Sequence, residues 1–390
     1  MPPLSKTEEQ AIADRIVEEL SQTPYALSSI TQLHGGTANF VFRGTLAKPL
    51  PAEDESTATT VIIKHSTEFV AINRDFPLDV TRCTFEESML AAVASFKFPP
   101  AADGTKIKTP RLYLFSHESN TQVLEDLPGT DDLKSAFFLP NAADLLPGSS
   151  PLTIGHHLGS WLRSYHTWAS APEQVPTLAA VGENRPMRDL KRMITYDTII
   201  PVLENYPELL VGCRETLETL VAALGKEFDK PPFAEADEHW GMIHGDFWSG
   251  NVLIPTTPWK APGQGDNKLF VIDWEFAQYG HRAYDFGQMI GDLWERKIFN
   301  DLDIVMPVVQ GVIEGYGEVS EELAFRAAIH TGVQLISWYR RRPRSGALMA
   351  PPEVIIAGLT IGRDIILKAW EKDRDFFETG VLASLFAKKG

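Results

Sequence analysis

The stretch MIHGDFWSGNVLI, Met242 to Ile254, sets a carboxylate between two apolar runs and places an amide five positions after it. Met242 and Ile243 lead into His244-Gly245-Asp246, and Asn251 precedes Val252-Leu253-Ile254. A carboxylate at the end of a buried strand, next to a loop, is held in place while its oxygens stay reachable. Such a group suits accepting a proton from a substrate hydroxyl. An asparagine five residues on can turn its amide oxygen toward a metal held over the same loop. Magnesium takes hard oxygen ligands of this kind and also needs carboxylate.

A second carboxylate follows twenty-two residues after Asn251, where LFVIDWEFA ends an apolar run with Asp273. Two strands joined by a loop bring Asn251 and Asp273 near each other, which makes a seat for Mg²⁺. Phosphoryl transfer also needs a cation for nucleotide phosphates, a backbone cradle and an acid to orient the cation. Lys64 ends the run VIIK. Glu86 stands four residues before Leu90 and seven before Val93, so it faces inward with the apolar stripe of CTFEESMLAAVASF and can meet Lys64. Glu87 differs from it only in helical phase and remains the alternative. HGGTAN, His34 to Asn39, links two strands. Its Gly35 and Gly36, with Thr37 and Asn39 beside them, let backbone N–H groups approach phosphate. VLEDLPG, Val123 to Gly129, carries Glu125 and Leu127 at a connector where an adenine can bond to the backbone. ATP and Mg²⁺ are the cofactors this set implies.

The rest of the chain gives these parts a frame. At 390 residues, two domains or one large bilobal one is expected. The composition is 44% hydrophobic and 23% charged, which belongs to a globular protein with sizeable cores. A net charge of −16 argues against nucleic acid and anionic membrane as partners. Two cysteines, Cys83 and Cys213, form neither a metal motif nor a disulfide framework, which fits a reducing, cytoplasmic compartment. The N-terminal segment lacks the apolar core of a signal peptide, and no apolar run is long enough to span a membrane.

Residues 8–20 read as a surface helix, with Ile12, Ile16, Val17 and Leu20 on one face. Strands are expected at Ile30–Leu33, Phe40–Leu46 and Val61–Lys64, with residues 47–60 a polar, proline-bearing loop. A helix follows around Phe85 to Val93, and then a strand pair in RLYLFSH and TQVLEDL. Beyond LEDLPG helical spacing dominates, at 153–170, 187–205, 208–228, 283–297, 302–318, 320–342 and 352–374. Short strand-like runs at 251–254 and 269–273 interrupt it. The expected fold is therefore α+β, with a small β-rich lobe at 1–124, a hinge at 125–130 and a large, mostly helical lobe at 131–390. A cleft is expected between the lobes.

With these motifs in place, the chain resembles the aminoglycoside phosphotransferase/choline kinase family, which has a protein-kinase-like fold. Its H-G-D-x-x-x-x-N signature is matched by His244, Gly245, Asp246 and Asn251. The resemblance covers roughly residues 30–375. It implies an ATP-dependent transfer to a hydroxyl of a small molecule, with Asp246 as base, Asn251 and Asp273 on Mg²⁺, Lys64 on the nucleotide and Glu86 as its helix partner. Within the family, DWEFAQYG and the Asp-x-Gly-type run after it resemble methylthioribose kinases. FWSGNVL, YDTIIP and DWEFAQYG resemble fungal 4-hydroxytryptamine kinase.

Other residues take supporting parts. A ring beside the catalytic loop steadies it, so His244 is read as structural. The family pattern and its place near a helix start imply that Asp285 is a scaffold acid, accepting backbone N–H groups under the loop. Glu275 is a candidate for substrate or a second metal, or else a plain strand-end acid. Asp292 and Glu295, three apart on one helix, form an acidic face that would favour a cationic acceptor, or else a solvated face. His166 reads as a packed core histidine, and Arg340, Arg341 and Arg342 as solvated helix-end cations. Two other readings remain. A protein serine/threonine kinase lacks support, since no A-P-E-like element follows Asp273. A pseudokinase or binding module would use the cleft without catalysis.

Overall fold

The computed structural model describes residues 4–33, 36–51, 57–232, 238–338 and 350–387. The chain divides into two compact units. One comprises Met1–Ser95 with Thr109–Pro128, the other Phe96–Lys108 with Gly129–Gly390. The expected α+β class is what the elements form.

The first unit is built on a five-stranded antiparallel sheet. Its spatial order is Leu27–Leu33, Phe40–Pro51, Thr57–His65, Thr121–Glu125, Leu112–Ser116. Alternation drives burial along the second strand, where Phe40, Phe42 and Leu46 point into the core. They meet Val61, Ile63 and Val123 from neighbouring strands. The helix Lys6–Leu20 closes this core with Ile12, Ala13, Ile16 and Leu20. A capping box starts it: the Ser5 hydroxyl accepts from the Glu8 N–H, and the Glu8 carboxylate accepts from the Ser5 N–H.

Of the loop expected at 47–60, the described residues 47–51 and 57–60 are strand, and 52–56 lie outside the described residues. Pairing continues through Leu50 with Ala58 and Pro51 with Thr57. This extension is mostly exposed on both faces, so no apolar alternation marks it in the sequence.

The helix Arg82–Val93 buries Arg82, Cys83, Glu86, Met89, Leu90 and Val93 along one face. Glu86 thus lies on the stripe that its spacing predicts.

In the second unit, a four-stranded sheet runs in the order Lys106–Lys108, Lys268–Val271, Val252–Pro255, Thr130–Asp132. A two-stranded ribbon pairs Trp240–Ile243 with Gln278–His281. All four residues of Gln278–His281 are buried, and two of them are polar. That composition hides the strand from a periodicity reading.

Helices make up most of the rest, among them Ser150–Trp168, Ala283–Asn300, Val305–Tyr316, Glu321–Ser337 and Pro352–Trp370. The single helix expected at 187–205 is two, Arg185–Ile194 and Ile199–Glu204, with a short 3-10 turn between them. Pro201 explains the break: proline is tolerated in a helix's first turn and not in its middle. The helix expected at 208–228 is likewise shortened to Arg214–Gly225, because Gly212 turns the chain at φ +76°. Among the described residues no helix is long and apolar enough to cross a membrane.

Candidate active site

Lys64 and Glu86 meet inside the first unit. The Lys64 ammonium donates to both Glu86 carboxylate oxygens, at 3.0 and 2.8 Å. The side chains are 8% and 2% exposed. A buried pair of this kind holds the lysine in one orientation at the end of its strand. Glu87 faces away and lies 3.5 Å from His117. The phase of the helix therefore puts Glu86 on the lysine.

The remaining nucleotide candidates sit in varied surroundings. Gly36 and Thr37 are exposed, and the Thr37 carbonyl accepts from the Ile72 N–H at 3.4 Å. Asn39 is buried, and its amide oxygen accepts from the Ser66 hydroxyl at 2.9 Å and from Arg82 at 2.6 Å. It therefore ties the loop to the helix that carries Glu86. Gly35 lies outside the described residues. Glu125 and Leu127 are half-buried, and the Glu125 N–H donates to the Arg111 carbonyl at 2.8 Å. Between them Asp126, which sequence reasoning did not single out, takes both ends of the Arg43 guanidinium at 2.8 and 3.0 Å.

The opening motif forms the second centre. The strand Trp240–Ile243 ends at His244, and the chain turns at Gly245 with φ +80°. A side chain there would meet the Phe276 carbonyl oxygen at 2.1 Å, so only glycine fits. Asp246 follows, half-exposed. Its Oδ2 accepts from the Trp248 indole N–H and the Asn251 amide, each at 3.1 Å, and its Oδ1 accepts from the Gln288 amide at 2.6 Å.

Asn251 also donates to the Asp246 backbone carbonyl at 2.9 Å. Its nitrogen is thereby committed to Asp246, and its oxygen is the atom left for a cation. The hairpin register sets Val252 opposite Val271, and the Ile272 N–H donates to the Asn251 carbonyl at 3.0 Å. Asn251 and Asp273 therefore lie at the same end of the hairpin. Asp273 itself adopts φ +67°, ψ +68°, a conformation that costs a non-glycine residue on the order of 1 kcal/mol. A carboxylate oxygen of Asp273 lies within 4.8 Å of one of Glu275. Glu275 is buried, and Asn184 steadies the turn by donating to the backbone carbonyls of Glu275 and Ala277.

His244 has the structural place its position suggests. Its Nε2 lies 3.1 Å from the Ile272 carbonyl, which only a ring N–H can donate to, and its Nδ1 accepts from the Asp246 N–H at 3.3 Å. Both ring nitrogens are therefore occupied in one neutral tautomer. Burial holds its pKa below the ordinary value, against the pull of the carboxylates of Asp285, Asp246 and Asp273.

One helix face carries the whole loop. On Ala283–Asn300, residues Asp285, Gln288 and Asp292 follow at helical spacing. Asp285 accepts from the N–H groups of His244 and Gly245, both at 2.8 Å. Gln288 holds Asp246. Asp292 accepts from the Ser249 hydroxyl at 2.5 Å and its N–H at 3.2 Å. The helix is clamped in turn: a side chain at Gly287 would lie 2.6 Å from the Ala327 carbonyl of Glu321–Ser337.

Each of the three has a buried partner. His166 lies 3.1 Å from Asp285 and takes the Tyr316 hydroxyl at 2.9 Å on its other nitrogen. Lys191 donates to Gln288 at 2.5 Å. Arg296 donates to Asp292 at 2.5 Å. Burial alone would raise the Asp285 pKa. The hydrogen bond and charge of His166, with the backbone N–H of His244, outweigh it and hold the carboxyl low.

These contacts revise two expectations. His166 is packed in the core, as expected, and it also orients Asp285. Asp292 offers no free acidic face, because one oxygen is on Arg296 and the other on Ser249. Glu295 is buried too. Arg340, Arg341 and Arg342 lie outside the described residues. Sequence reasoning missed Gln288, Trp248, Lys191 and Arg296. Gln288 had a signal, since it stands three residues after Asp285 on the same helix. Lys191 had none, because ninety-seven residues separate it from its partner.

Comparison with known proteins gives the class, that of small-molecule kinases, and the family. A family model described as "phosphotransferase enzyme family" matches residues 53–342. The chain is 31% identical to phosphotransferase FrzJ of a Cladobotryum species over 98% of both chains. It is 23% identical to 4-hydroxytryptamine kinase of Psilocybe cubensis over 80% of both. A methylthioribose kinase of an Enterobacter species is 23% identical over 69% of this chain and 61% of its own. The chain belongs to the phosphotransferase enzyme family.

Proposed function

We propose that this enzyme transfers the γ-phosphoryl group of ATP to a hydroxyl of a small molecule, with Asp246 as the base. The observation that carries the reading is Asp246 itself. It is half-exposed at the end of a buried strand, its carboxylate is fixed by three N–H donors, and it shares its loop with Asn251. Lys64, held by Glu86, binds the nucleotide phosphates, with the backbone around Gly36 and Thr37 as cradle. The segment of Glu125 and Leu127 offers backbone groups to the adenine.

Asn251 and Asp273 fit a magnesium ion by the chemistry of their donors, an amide oxygen and a carboxylate, with Glu275 beside them. Such an ion neutralises charge on the phosphates as the transfer proceeds. Asp285 and His244 shape the loop and take no proton from the acceptor.

The acceptor class is an amino alcohol, sugar, aminoglycoside-like compound or hydroxyindole. The name of the Psilocybe relative supports the last of these. The acceptor is a small molecule and not a protein, nucleic acid or membrane, and the enzyme works in the cytoplasm, where Cys83 and Cys213 stay as free thiols.

The test is a screen of such hydroxyl compounds with MgATP, following ADP release and the phosphorylated product, beside the variant Asp246→Asn. Turnover on one acceptor class is expected, with a loss of about a thousandfold or more in the variant. Near-parental turnover in Asp246→Asn would overturn the assignment. Tight MgATP binding with no transfer to any acceptor or to water would favour the pseudokinase reading.

A further inference from the structure

Lys191 is a lysine that the chemistry above does not use. It is 2% exposed, on the helix Arg185–Ile194, and its Nζ donates to the Gln288 side-chain oxygen at 2.5 Å. Gln288, 3% exposed, spends its amide nitrogen on Asp246 Oδ1 at 2.6 Å. An ammonium only donates and an ionised carboxylate only accepts. The amide between them therefore has one workable orientation. Turned over, it would set NH₂ against the ammonium and C=O against the carboxylate.

The count of contacts on Asp246 gives the arrangement a consequence. An ionised carboxylate offers about four acceptor positions, two on each oxygen. Oδ2 takes two donors, from Trp248 and Asn251. Oδ1 takes one, from Gln288. The acceptor position left among the described residues is on Oδ1.

We propose that Gln288, oriented by Lys191, is the positioning residue of the reaction, and that it presents Asp246 Oδ1 as the atom that receives the acceptor's proton. The inference rests on Asp246 being the base. In the step, the acceptor O–H bond breaks and its proton goes to Oδ1. The oxygen's electron pair forms the new bond to the γ-phosphorus of the nucleoside triphosphate. The bond from that phosphorus to the β–γ bridging oxygen breaks, and the diphosphate leaves with the pair.

The burial of Lys191 accords with this role. Burial pushes its pKa down, against the pull of the Asp246 and Asp285 carboxylates. Keeping a cation in such a place is costly, and among the described residues its hydrogen bond to Gln288 is the contact that orients it. The three partners of the loop-bearing helix face then form one series. His166 fixes Asp285, Arg296 fixes Asp292, and Lys191 fixes the residue between them.

The experiment compares the parent with Gln288→Leu, Lys191→Met, the double variant, Lys191→Arg and Asp246→Asn. Turnover is read with MgATP and 4-hydroxytryptamine, and with MgATP and water alone, and melting temperatures are taken alongside. Gln288→Leu and Lys191→Met are each expected to lower kcat by about ten- to a hundredfold, with KM for ATP within about twofold of the parent. The double variant should lose no more than Gln288→Leu, because the lysine acts only through the glutamine. Lys191→Arg should recover most of the rate. Should the leucine variant not fold, Gln288→Glu serves, since it keeps the contact to Lys191 and loses the N–H to Asp246.

Losses that multiply in the double variant, or a parental kcat in Gln288→Leu, would overturn the proposal. If Asp246→Asn is inactive while Gln288→Leu is not, only this inference falls. If Asp246→Asn stays active, the base assignment falls and takes the inference with it.

Discussion

Lys64 and Glu86 stand 22 positions apart in the chain and meet as a buried ion pair, with the ammonium within 3.0 Å of both carboxylate oxygens. The contact joins the end of a strand to the inner face of the next helix of the same unit. Removing either partner leaves a buried charge uncompensated, which typically costs about 3–5 kcal/mol.

That cost yields the first prediction. Glu86→Gln should weaken productive use of ATP, seen as a raised KM for ATP and a lower kcat/KM, and should lower the melting temperature. Glu87→Gln should do neither, since its partner is the exposed His117. Steady-state kinetics and thermal melts on the two variants check it. Equal effects would break the link between helical phase and function. Lys64→Ala should match Glu86→Gln in direction and exceed it in size, because it also removes the proposed phosphate contact.

The proposed metal seat gives the second. Asp273→Asn keeps a residue that tolerates the left-handed backbone and removes only the charge. The variant should therefore fold with little loss of stability and require a higher magnesium concentration for half-maximal turnover. Asp273→Ala should lose turnover as well and melt lower, because alanine fits that backbone poorly. Magnesium titrations of activity measure the first effect and melts the second. An unaltered magnesium requirement in both variants would place the seat elsewhere.

The split between what the sequence shows and what it hides follows chain distance. Asp246, Asn251 and Asp273 sit next to strand ends close together along the chain, so spacing suggests their roles, while the role of Asp285 came from its helix start together with the family resemblance. The Lys64–Glu86 pair was legible because one apolar run marks the lysine and one helical stripe favours Glu86 over Glu87. The Asp246–Gln288–Lys191 chain was not. A buried lysine on a short, proline-started helix looks like any surface lysine, and no periodicity connects it to a loop 55 residues later. The strand ends at 47–51 and 57–60 failed for a different reason: their pairing is backbone hydrogen bonding between mostly exposed residues, which leaves no hydrophobic pattern. Gln278–His281 failed because its burial is complete and so erases alternation.

Buried histidines give the pH prediction. His281 and His330 are both 1% exposed or less, and burial, foremost, holds each well below its ordinary pKa. His330 Nδ1 meets the Tyr196 hydroxyl at 3.0 Å, and His281 Nδ1 accepts from the Ala283 N–H at 3.1 Å. Their folded-state pKa values therefore lie below the unfolded value of about 6.5. Below that pH the unfolded chain binds more protons than the folded one, so stability rises with pH. The contribution is full above about pH 6.5 and is lost on acidification, at up to about 1.4 kcal/mol per histidine per pH unit. Melting temperature should fall between pH 7.5 and pH 5. The double variant His281→Gln and His330→Gln should show a shallower fall. A pH dependence as steep as the parent's would mean that other groups set it.

The last prediction concerns Asp292. Read from spacing, Asp292 and Glu295 form an acidic face toward a cationic acceptor, and neutralising them should raise KM for amines alone. The structure directs a different outcome. Asp292 is fully buried, with one oxygen on Arg296 and the other on the Ser249 hydroxyl and N–H, inside the turn that joins Asp246 to Asn251. Its negative charge is spent within the protein and presents no field to an acceptor. Asp292→Asn keeps the shape but strands the Arg296 guanidinium and weakens the hold on Ser249. The loop that carries Asp246 and Asn251 then loosens at one end, while Asp285 still holds the other. The expected result is a fall in kcat of about ten- to a hundredfold that is the same for cationic and neutral acceptors, with a lower melting temperature. Asp292→Asn with Arg296→Met should recover part of the melting temperature, since the unpaired cation is gone, but not the rate. Kinetics on one amine and one neutral hydroxyl acceptor decide between the two views. A KM increase confined to the amine, with kcat unchanged, would restore the acidic face as a wall of the acceptor site.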